Sequence, residues 1–369
     1  MNGIVRSTLA HGRGGSGVTS ISIGPGALLE AAESAAPFVE GRTVFLISSR
    51  PLLELHGHRL GPLCGRARRC EVLEIPDGEE AKSAEVLDGL WRRMALSGGK
   101  RDSRVLAFGG GSVGDLAGFA AGCFLRGLEF AQLPTTLLAQ VDASIGGKTG
   151  IDLPEGKNLV GLFHHPTLVI ADTGVLGTLP RAELRSGLVE AIKMAALLDL
   201  HLLARIERDL APLLAGEAEA LGPVVAAAAA AKVAVVERDP AEEGDRRLLN
   251  FGHTLGHAIE AALGFSGLRH GEAVAYGMLF ALRLSRRRGL PAEETERLRA
   301  LLARLDLPAL PPLDPRSLFA AMARDKKAVE GGLAWVLADR LGEGRIEPRV
   351  AAAEIEAELA SFLASPWAS

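Results

Sequence analysis

The sequence predicts an α/β domain built on a mostly parallel sheet, followed by a helical domain. Three observations predict it. Up to about residue 176, short β-rich runs alternate with glycine turns and amphipathic stretches, as strand and helix units do. From about Leu179 onward, long Ala/Leu/Glu/Arg segments with helical periodicity take over. Aromatic residues are only 4% of the chain while alanine and leucine dominate, which suits helix packing more than a large β-sandwich. The expected domains are therefore 1–176 and 177–369, the second all-α.

Taken in order, the opening MNGIVRSTLAHGRGGSG is glycine-rich, and residues 1–18 are expected to be a mobile leader without function. TVFLIS (Thr43–Ser48), RVLAFGGG (Arg104–Gly111), FAQLPTT (Phe130–Thr136) and TLVIAD (Thr167–Asp172) are the expected strands. Helices are expected over Ala81–Leu96 and Val113–Gly122. The alanine-rich run Val224–Val236 reads as a packed helix, too short and too closely flanked by charge to span a membrane. LPALPPLDP (Leu307–Pro315) is a proline-rich joint between helices.

Composition narrows the functions. With 369 residues and 48% apolar content the chain can bury two cores. A net charge of −4 gives no broad basic surface, so nucleic acid is not an expected partner, and neither is a membrane. Cys64, Cys70 and Cys123 are an odd number without CxxC spacing, which argues against a disulfide framework or a thiolate metal site and for a reducing cytoplasm. The start of the chain lacks the apolar core of a signal peptide.

Three of the nine histidines fall within eighteen residues: His253 and His257 in NFGHTLGHAIE, and His270 in RHGEA. A spacing of four puts two imidazoles on one helix face, where they can converge on one target. Imidazole is the commonest ligand for a transition metal, and catalytic zinc sites combine histidines with a carboxylate. Glu190, three residues before Lys193 on the apolar helix SGLVEAIKMAALLD, is a candidate for that carboxylate; a Glu/Lys surface pair is the competing account.

RVLAFGGGSVGDLAGF is a buried strand running through glycines into a helix. Such a turn aims backbone N–H groups at an anion, with the helix dipole behind them. Its order, GGGxxG, departs from the GxGxxG dinucleotide fingerprint, so a pyrophosphate cradle and a structural turn both stay open. VDASIGGKTG is not a P-loop, because Asp142 stands where the pattern needs glycine. Lys148, and Lys157 with Asn158 in GKN, suggest an oxyanion-binding loop. Lys232 and Arg246 add positive charge near the histidines in sequence. Together these groups imply a small, strongly anionic substrate next to a metal.

The motifs PDGEEAKS, GGGSVGDLAGF, LRGLEFAQLPTTLLAQVDASIGGKTGID, GKNLVG, SGLVEAIK, LLNFGHTLGHAIE, HGEAVAYGM and DKK occur together in one order from about Thr43 to Glu343. In this the chain resembles the 3-dehydroquinate synthase family of sugar phosphate cyclases. The resemblance implies an NAD-binding α/β domain, a helical domain and an active site in the cleft. It implies zinc, replaceable by cobalt, held by Glu190, His253 and His270, with His257 beside the metal as a substrate and proton-handling residue. The NAD site it implies matches Glu79, Lys82, Gly110, Gly111, Ser112, Asp115, Thr135, Thr136, Leu138, Asp142, Lys148 and Lys157. Its substrate contacts match Arg126, Asp142, Lys148, Lys157, Asn158, Lys193, Lys232, Arg246, Asn250 and one of Lys326 and Lys327, taken as Lys327. Arg126 is implied to be lent across a homodimer interface.

The reaction so implied converts 3-deoxy-D-arabino-heptulosonate 7-phosphate to 3-dehydroquinate and phosphate, with NAD oxidising and then reducing the sugar around a phosphate elimination and an intramolecular aldol closure. Two departures stand out. The chain reads Ser48, Ser49, Arg50 where the family has an acid and an asparagine for the adenosine ribose, which leaves NAD affinity and NAD over NADP preference open. Ser112 replaces a valine beside the pyrophosphate turn. The nearest alternatives are another sugar phosphate cyclase and a metal-dependent polyol dehydrogenase.

Overall fold

In the computed structural model, which describes residues 4–11, 17–324, 328–329 and 332–367, contacts divide the chain into two units. One comprises Met1–Pro180 and Ala215–Pro240, the other Arg181–Leu214 and Ala241–Ser369.

Among the described residues the first unit carries nine strands: β1 (Val5–His11), β2 (Gly17–Gly24), β3 (Thr43–Ser49), β4 (Arg69–Ile75), β5 (Arg104–Gly109), β6 (Phe130–Pro134), β7 (Lys148–Leu153), β8 (Gly156–Phe163) and β9 (Leu168–Asp172). Seven form one sheet in the order β1-β2-β9-β6-β5-β3-β4, while β7 and β8 pair as a separate antiparallel hairpin. Within the large sheet only β1 and β2 run antiparallel. A parallel sheet must be covered on both faces, and every residue of β3 and β5 is buried accordingly. The helices Ala84–Leu96 and Gly111–Cys123 bring Leu87, Leu90, Met94 and Leu116 into one core with Phe45, Ile47, Val105 and Phe130. The strand order reverses between β3 and β5, so the turns after these two strands flank the crevice where open α/β sheets bind ligands.

Two expectations about this unit need correction. Part of the supposed leader is structure: β1 pairs with β2 over seven residues, Leu9 is fully buried, and the Ala10 N–H donates to the Glu237 carboxylate at 2.8 Å. Backbone pairing, which composition does not register, holds this segment. The alanine-rich helix runs over Ala218–Arg238 and, although it follows the helical texture change, packs on β1 and β2 of the first unit. It is long and apolar enough to cross a membrane by composition, yet 56% of its most apolar window is buried against this protein.

The second unit is largely helical, as expected, but not all-α. β10 (Ala328–Val329), β11 (Gly332–Arg340) and β12 (Glu343–Ala351) form an antiparallel sheet. LAWVLA is a short continuous apolar run between Gly332 and the charged pair Asp339-Arg340, which favours a buried strand; the Trp335 ring lies 5.2 Å from that of Phe280 of the helix His270–Arg286. That helix makes backbone contact with two neighbours. A Cβ on Gly277 would lie 1.8 Å from the Gly252 carbonyl oxygen, and one on Gly271 would lie 2.1 Å from that of Ser186. Only glycine permits such an approach. It brings the starts of His253–Ala262 and His270–Arg286 together with the middle of Arg181–Leu198.

Candidate functional site

In the second unit, each of these three helices contributes one side chain to a common point. Single ligand atoms of Glu190, His253 and His270 all lie within 4.8 Å of one another. Glu190 is fully buried. Its Oε2 accepts a hydrogen bond from the buried Lys193 ammonium, one helical turn on. Its Oε1 has no hydrogen-bond partner among the described residues and lies 3.8 Å from His253 Nε2 and 3.7 Å from His270 Nε2. Those separations are too long for hydrogen bonds, but two ligands at about 2.0–2.2 Å from one tetrahedral ion stand roughly 3.4 Å apart. A buried carboxylate oxygen without a partner is costly. The donor set therefore fits a divalent cation.

The other histidine nitrogens are engaged as metal-binding imidazoles require. His253 Nδ1 lies 3.3 Å from the Phe251 carbonyl oxygen, and His270 Nδ1 lies 3.0 Å from Glu260 Oε2. Burial, the largest influence on His270, opposes its protonation; the Glu260 hydrogen bond and the Glu190 and Glu260 charges outweigh it and raise its pKa. Glu260 is a residue the sequence reasoning missed. Its signal was present, since it follows His253 by seven residues and His257 by three, on the same helical face.

His257 is exposed, with its ring 5.2 Å from that of His253 and 5.9 Å from that of His270. Among the described residues no three-ligand group contains both His253 and His257; a second group combines His257 with Glu260 and His270. Arg246 is buried and Asn250 donates to Glu242 Oε1 at 2.7 Å, both on the 3₁₀ turn Asp245–Asn250 that leads to His253. Lys326 and Lys327 lie outside the described residues.

The first unit holds two further groups of candidate residues. Lys82, almost fully buried, donates to Asp115 Oδ2 at 3.0 Å and to the Asn158 side-chain oxygen, and lies 3.6–3.7 Å from Asp152 and Glu79. Glu79 accepts from the Ser112 hydroxyl and lies 3.9 Å from Lys157 Nζ. Burial works against the Lys82 charge, but Asp115 and Glu79 outweigh it and the ammonium pKa is raised. Burial pushes the Asp115 carboxyl up to about 6 against the pull of Lys82. Asp152, which follows KTGI, was not singled out by the sequence.

This network surrounds the start of the helix Gly111–Cys123, which begins at Gly111 rather than Val113, and no side chain caps it. A Cβ on Gly109 would lie 2.4 Å from Val113, so strand and helix can meet this closely only through glycine. Beside the turn the Thr135 hydroxyl is buried without a hydrogen-bond partner among the described residues, while Thr136 Oγ1 accepts from the Ala139 N–H at 3.2 Å. A Cβ on Gly111 would lie 4.0 Å from Leu138. An uncapped helix start with a glycine turn and an orphaned hydroxyl fits a pyrophosphate.

In the second group the Lys232 ammonium meets both the carboxylate and the main-chain oxygen of Asp142. Lys148 is exposed at the start of β7. Arg126 stands apart, exposed on a turn where Leu125 (φ 51°) and Arg126 (φ 69°) are both left-handed. Around Ser48 and Ser49 the structure adds an acid the motif lacks, because the Ser49 hydroxyl donates to Asp77 Oδ1 at 2.8 Å.

A switch-point glycine turn in the first unit and a carboxylate with two histidines in the second place the protein among enzymes of the dehydroquinate synthase-like fold. The family model described as 3-dehydroquinate synthase N-terminal matches residues 72–186, and the one described as 3-dehydroquinate synthase C-terminal matches residues 187–328. The chain belongs to the 3-dehydroquinate synthase family. It is 45% identical to the 3-dehydroquinate synthase of Xanthomonas axonopodis pv. citri (strain 306), over 91% of this chain and 94% of that one. Among solved structures it is similar to a 2-deoxy-scyllo-inosose synthase complexed with carbaglucose-6-phosphate, NAD+ and Co2+ (TM-score 0.88, 27% identity, 97% and 99% of the two chains). It is also similar to the 2-epi-5-epi-valiolone synthase of Streptomyces hygroscopicus subsp. jinggangensis 5008 with NAD+ and Zn2+ bound (TM-score 0.85, 30% identity, 95% and 97%).

Proposed function

We propose that the protein converts 3-deoxy-D-arabino-heptulosonate 7-phosphate to 3-dehydroquinate and phosphate, using NAD and zinc or cobalt, as a cytoplasmic homodimer. The observation that carries the reading is Glu190 Oε1, without a hydrogen-bond partner among the described residues and facing two histidine Nε2 atoms, in a chain 45% identical to a 3-dehydroquinate synthase. Identity to the two cyclases that make other rings is lower, 27% and 30%, which favours this substrate over theirs.

Glu190, His253 and His270 would hold the metal, which when bound supplies Lewis-acid stabilisation of oxygen charge, while NAD supplies the reversible hydride transfer. Lys193 holds the Glu190 carboxylate in its ligating orientation and offers a cation to the substrate. His257, exposed beside the cluster, faces the substrate and handles its protons. Arg246 and Asn250 bind substrate oxygens, Arg246 being suited to a bidentate hold on a carboxylate or phosphate. Lys148, Lys157, Asn158 and the Asp142–Lys232 pair supply further polar contacts. The Gly110–Gly111 turn takes the NAD pyrophosphate, with Glu79, Lys82, Ser112, Asp115, Thr135, Thr136 and Leu138 around it. Two successive left-handed residues at Leu125 and Arg126 are strained, and such strain accompanies functional presentation, which supports Arg126 serving a second subunit.

The test is to incubate the purified protein with the heptulosonate phosphate, NAD and zinc while following free phosphate and NADH absorbance together. Phosphate release without accumulating NADH, abolished by a chelator and by His270→Ala, is the expected result. Steady NADH formation would instead indicate a polyol dehydrogenase, and inertness toward this substrate another cyclase.

A further inference from the structure

β3 and β4 run in parallel and end together, with Ser49 opposite Ile75, beside the strand that leads into the glycine turn. The two serines that end β3 offer different things. Ser48 is fully buried, and its hydroxyl donates to the Phe108 carbonyl oxygen of β5 at 2.7 Å. The Ser49 hydroxyl instead donates at 2.8 Å to Oδ1 of Asp77, which lies two residues beyond the end of β4. The Asp77 side chain is exposed, so Oδ2 can accept from a ligand while Ser49 fixes the carboxylate through Oδ1. Gly78, at φ 75°, then turns the chain, and Glu79 accepts from the Ser112 hydroxyl at the start of the helix Gly111–Cys123. Asp77 is thereby tied on one side to the end of β3 and on the other to the glycine turn. Arg50 directly follows Ser49, and its Nε and Nη2 both donate to Glu74 Oε2 at 3.0 Å.

We propose that Asp77, positioned by Ser49, accepts a hydrogen bond from the adenosine ribose 2′-hydroxyl and selects NAD over NADP, while Glu74 keeps Arg50 from a 2′-phosphate. The inference rests on the NAD reading above and names the residues that discriminate within it. In dinucleotide-binding sheets an acid at a strand end near the glycine turn accepts from the ribose hydroxyl, whereas an arginine there favours the 2′-phosphate. β3 ends in two serines and supplies no acid. The neighbouring strand supplies it instead, because the parallel register of β3 and β4 carries Asp77 up to Ser49. A carboxylate is an acceptor only, so it suits a hydroxyl and repels a phosphate. Arg50 is the cation in this segment that would offset the repulsion, and Glu74 already engages it.

The test measures binding rather than turnover: calorimetric titration of the full-length, zinc-loaded protein with NAD, with NADP, and with the NAD analogue whose adenosine lacks the 2′-hydroxyl. The wild-type protein should bind the deoxy analogue about tenfold more weakly than NAD, and NADP at least about tenfold more weakly. In Asp77→Ala, NAD and the deoxy analogue should bind within about twofold of each other, since the partner of the hydroxyl is gone. A residue that merely shaped the strand end would weaken both ligands alike. Exposed ion pairs are weak, so Glu74→Ala should raise NADP affinity by only about two- to fivefold, a gain that adding Arg50→Ala removes. The inference is overturned if the wild-type protein binds NADP as tightly as NAD, or if loss of the 2′-hydroxyl costs the same in wild type and Asp77→Ala. Equal wild-type affinity for NAD and its deoxy analogue overturns it without any variant, so the test holds even if a variant folds poorly. A wild-type protein that binds none of the three dinucleotides would overturn the NAD reading itself, and this inference with it.

Discussion

Lys193 and Glu190 form a buried ion pair on one helix in which the ammonium engages only Oε2 of the carboxylate, leaving Oε1 for the two histidines. The pair thus divides one carboxylate between charge compensation and ligation. Lys193→Met should leave the Glu190 charge uncompensated, at a cost of about 3–5 kcal/mol. A bound cation restores the missing positive charge. The loss should therefore be large in chelator and clearly smaller in saturating zinc, as read by urea denaturation under both conditions. Equal losses in both would refute the shared-carboxylate account.

Glu260 Oε2 lies 3.0 Å from His270 Nδ1, so it would act on a bound metal through His270. Removing a carboxylate that orients a ligating imidazole typically lowers metal affinity about 10–100-fold. Glu260→Ala should show a loss in that range, and Glu260→Gln, which can still accept the hydrogen bond, a smaller one. Competition with a fluorescent zinc chelator measures both; unchanged affinity in Glu260→Ala would remove Glu260 from the site.

Gly277 sets the distance between the helices that carry His253 and His270. Gly277→Ala places a methyl where the Gly252 carbonyl lies and must push the helices apart. Expected are a stability loss of at least about 2 kcal/mol and a weakening of zinc binding of at least about tenfold. Gly264→Ala, at a left-handed glycine with open space around it (φ 60°), serves as the control: it should cost stability but leave zinc affinity intact. A zinc affinity unchanged in Gly277→Ala would show that this contact does not position the ligands.

Asp115 gives the first unit a signed pH dependence. Its folded pKa of about 6 lies above the ordinary carboxyl value of 3.8, so folding favours the protonated form. Its contribution is fully present below about pH 4 and declines as the pH rises through about 6. The difference in unfolding free energy between wild type and Asp115→Asn should move against the wild type across that interval by on the order of 3 kcal/mol. A difference that is flat with pH, or that grows in favour of the wild type, would contradict the burial-driven shift.

The sequence carried much of this in its local patterns. Continuous apolar runs marked β3, β5, β6 and β9, because strands buried on both faces need no alternation to be recognised. β4 and the hairpin strands β7 and β8 escaped notice: their apolar positions are broken by charges and, in the hairpin, by glycines that let the two strands approach closely. β1 and the first two residues of β2 fall within the expected leader 1–18, since their stability lies in pairing rather than in composition.

At the candidate site, motif content alone named the residue types and the glycine turn that opens the helix at Gly111. Helical spacing alone, however, grouped His253 with His257. The tertiary structure instead groups His253 with Glu190 and His270, because such groupings depend on where side-chain atoms converge in space. The backbone contacts of Gly271 and Gly277 draw a carboxylate from one helix and one histidine from each of two others to the same point. The sequence by itself determined which chemistry the chain could support; only tertiary packing fixed which groups meet, since contacts between distant segments leave no periodic trace along the chain.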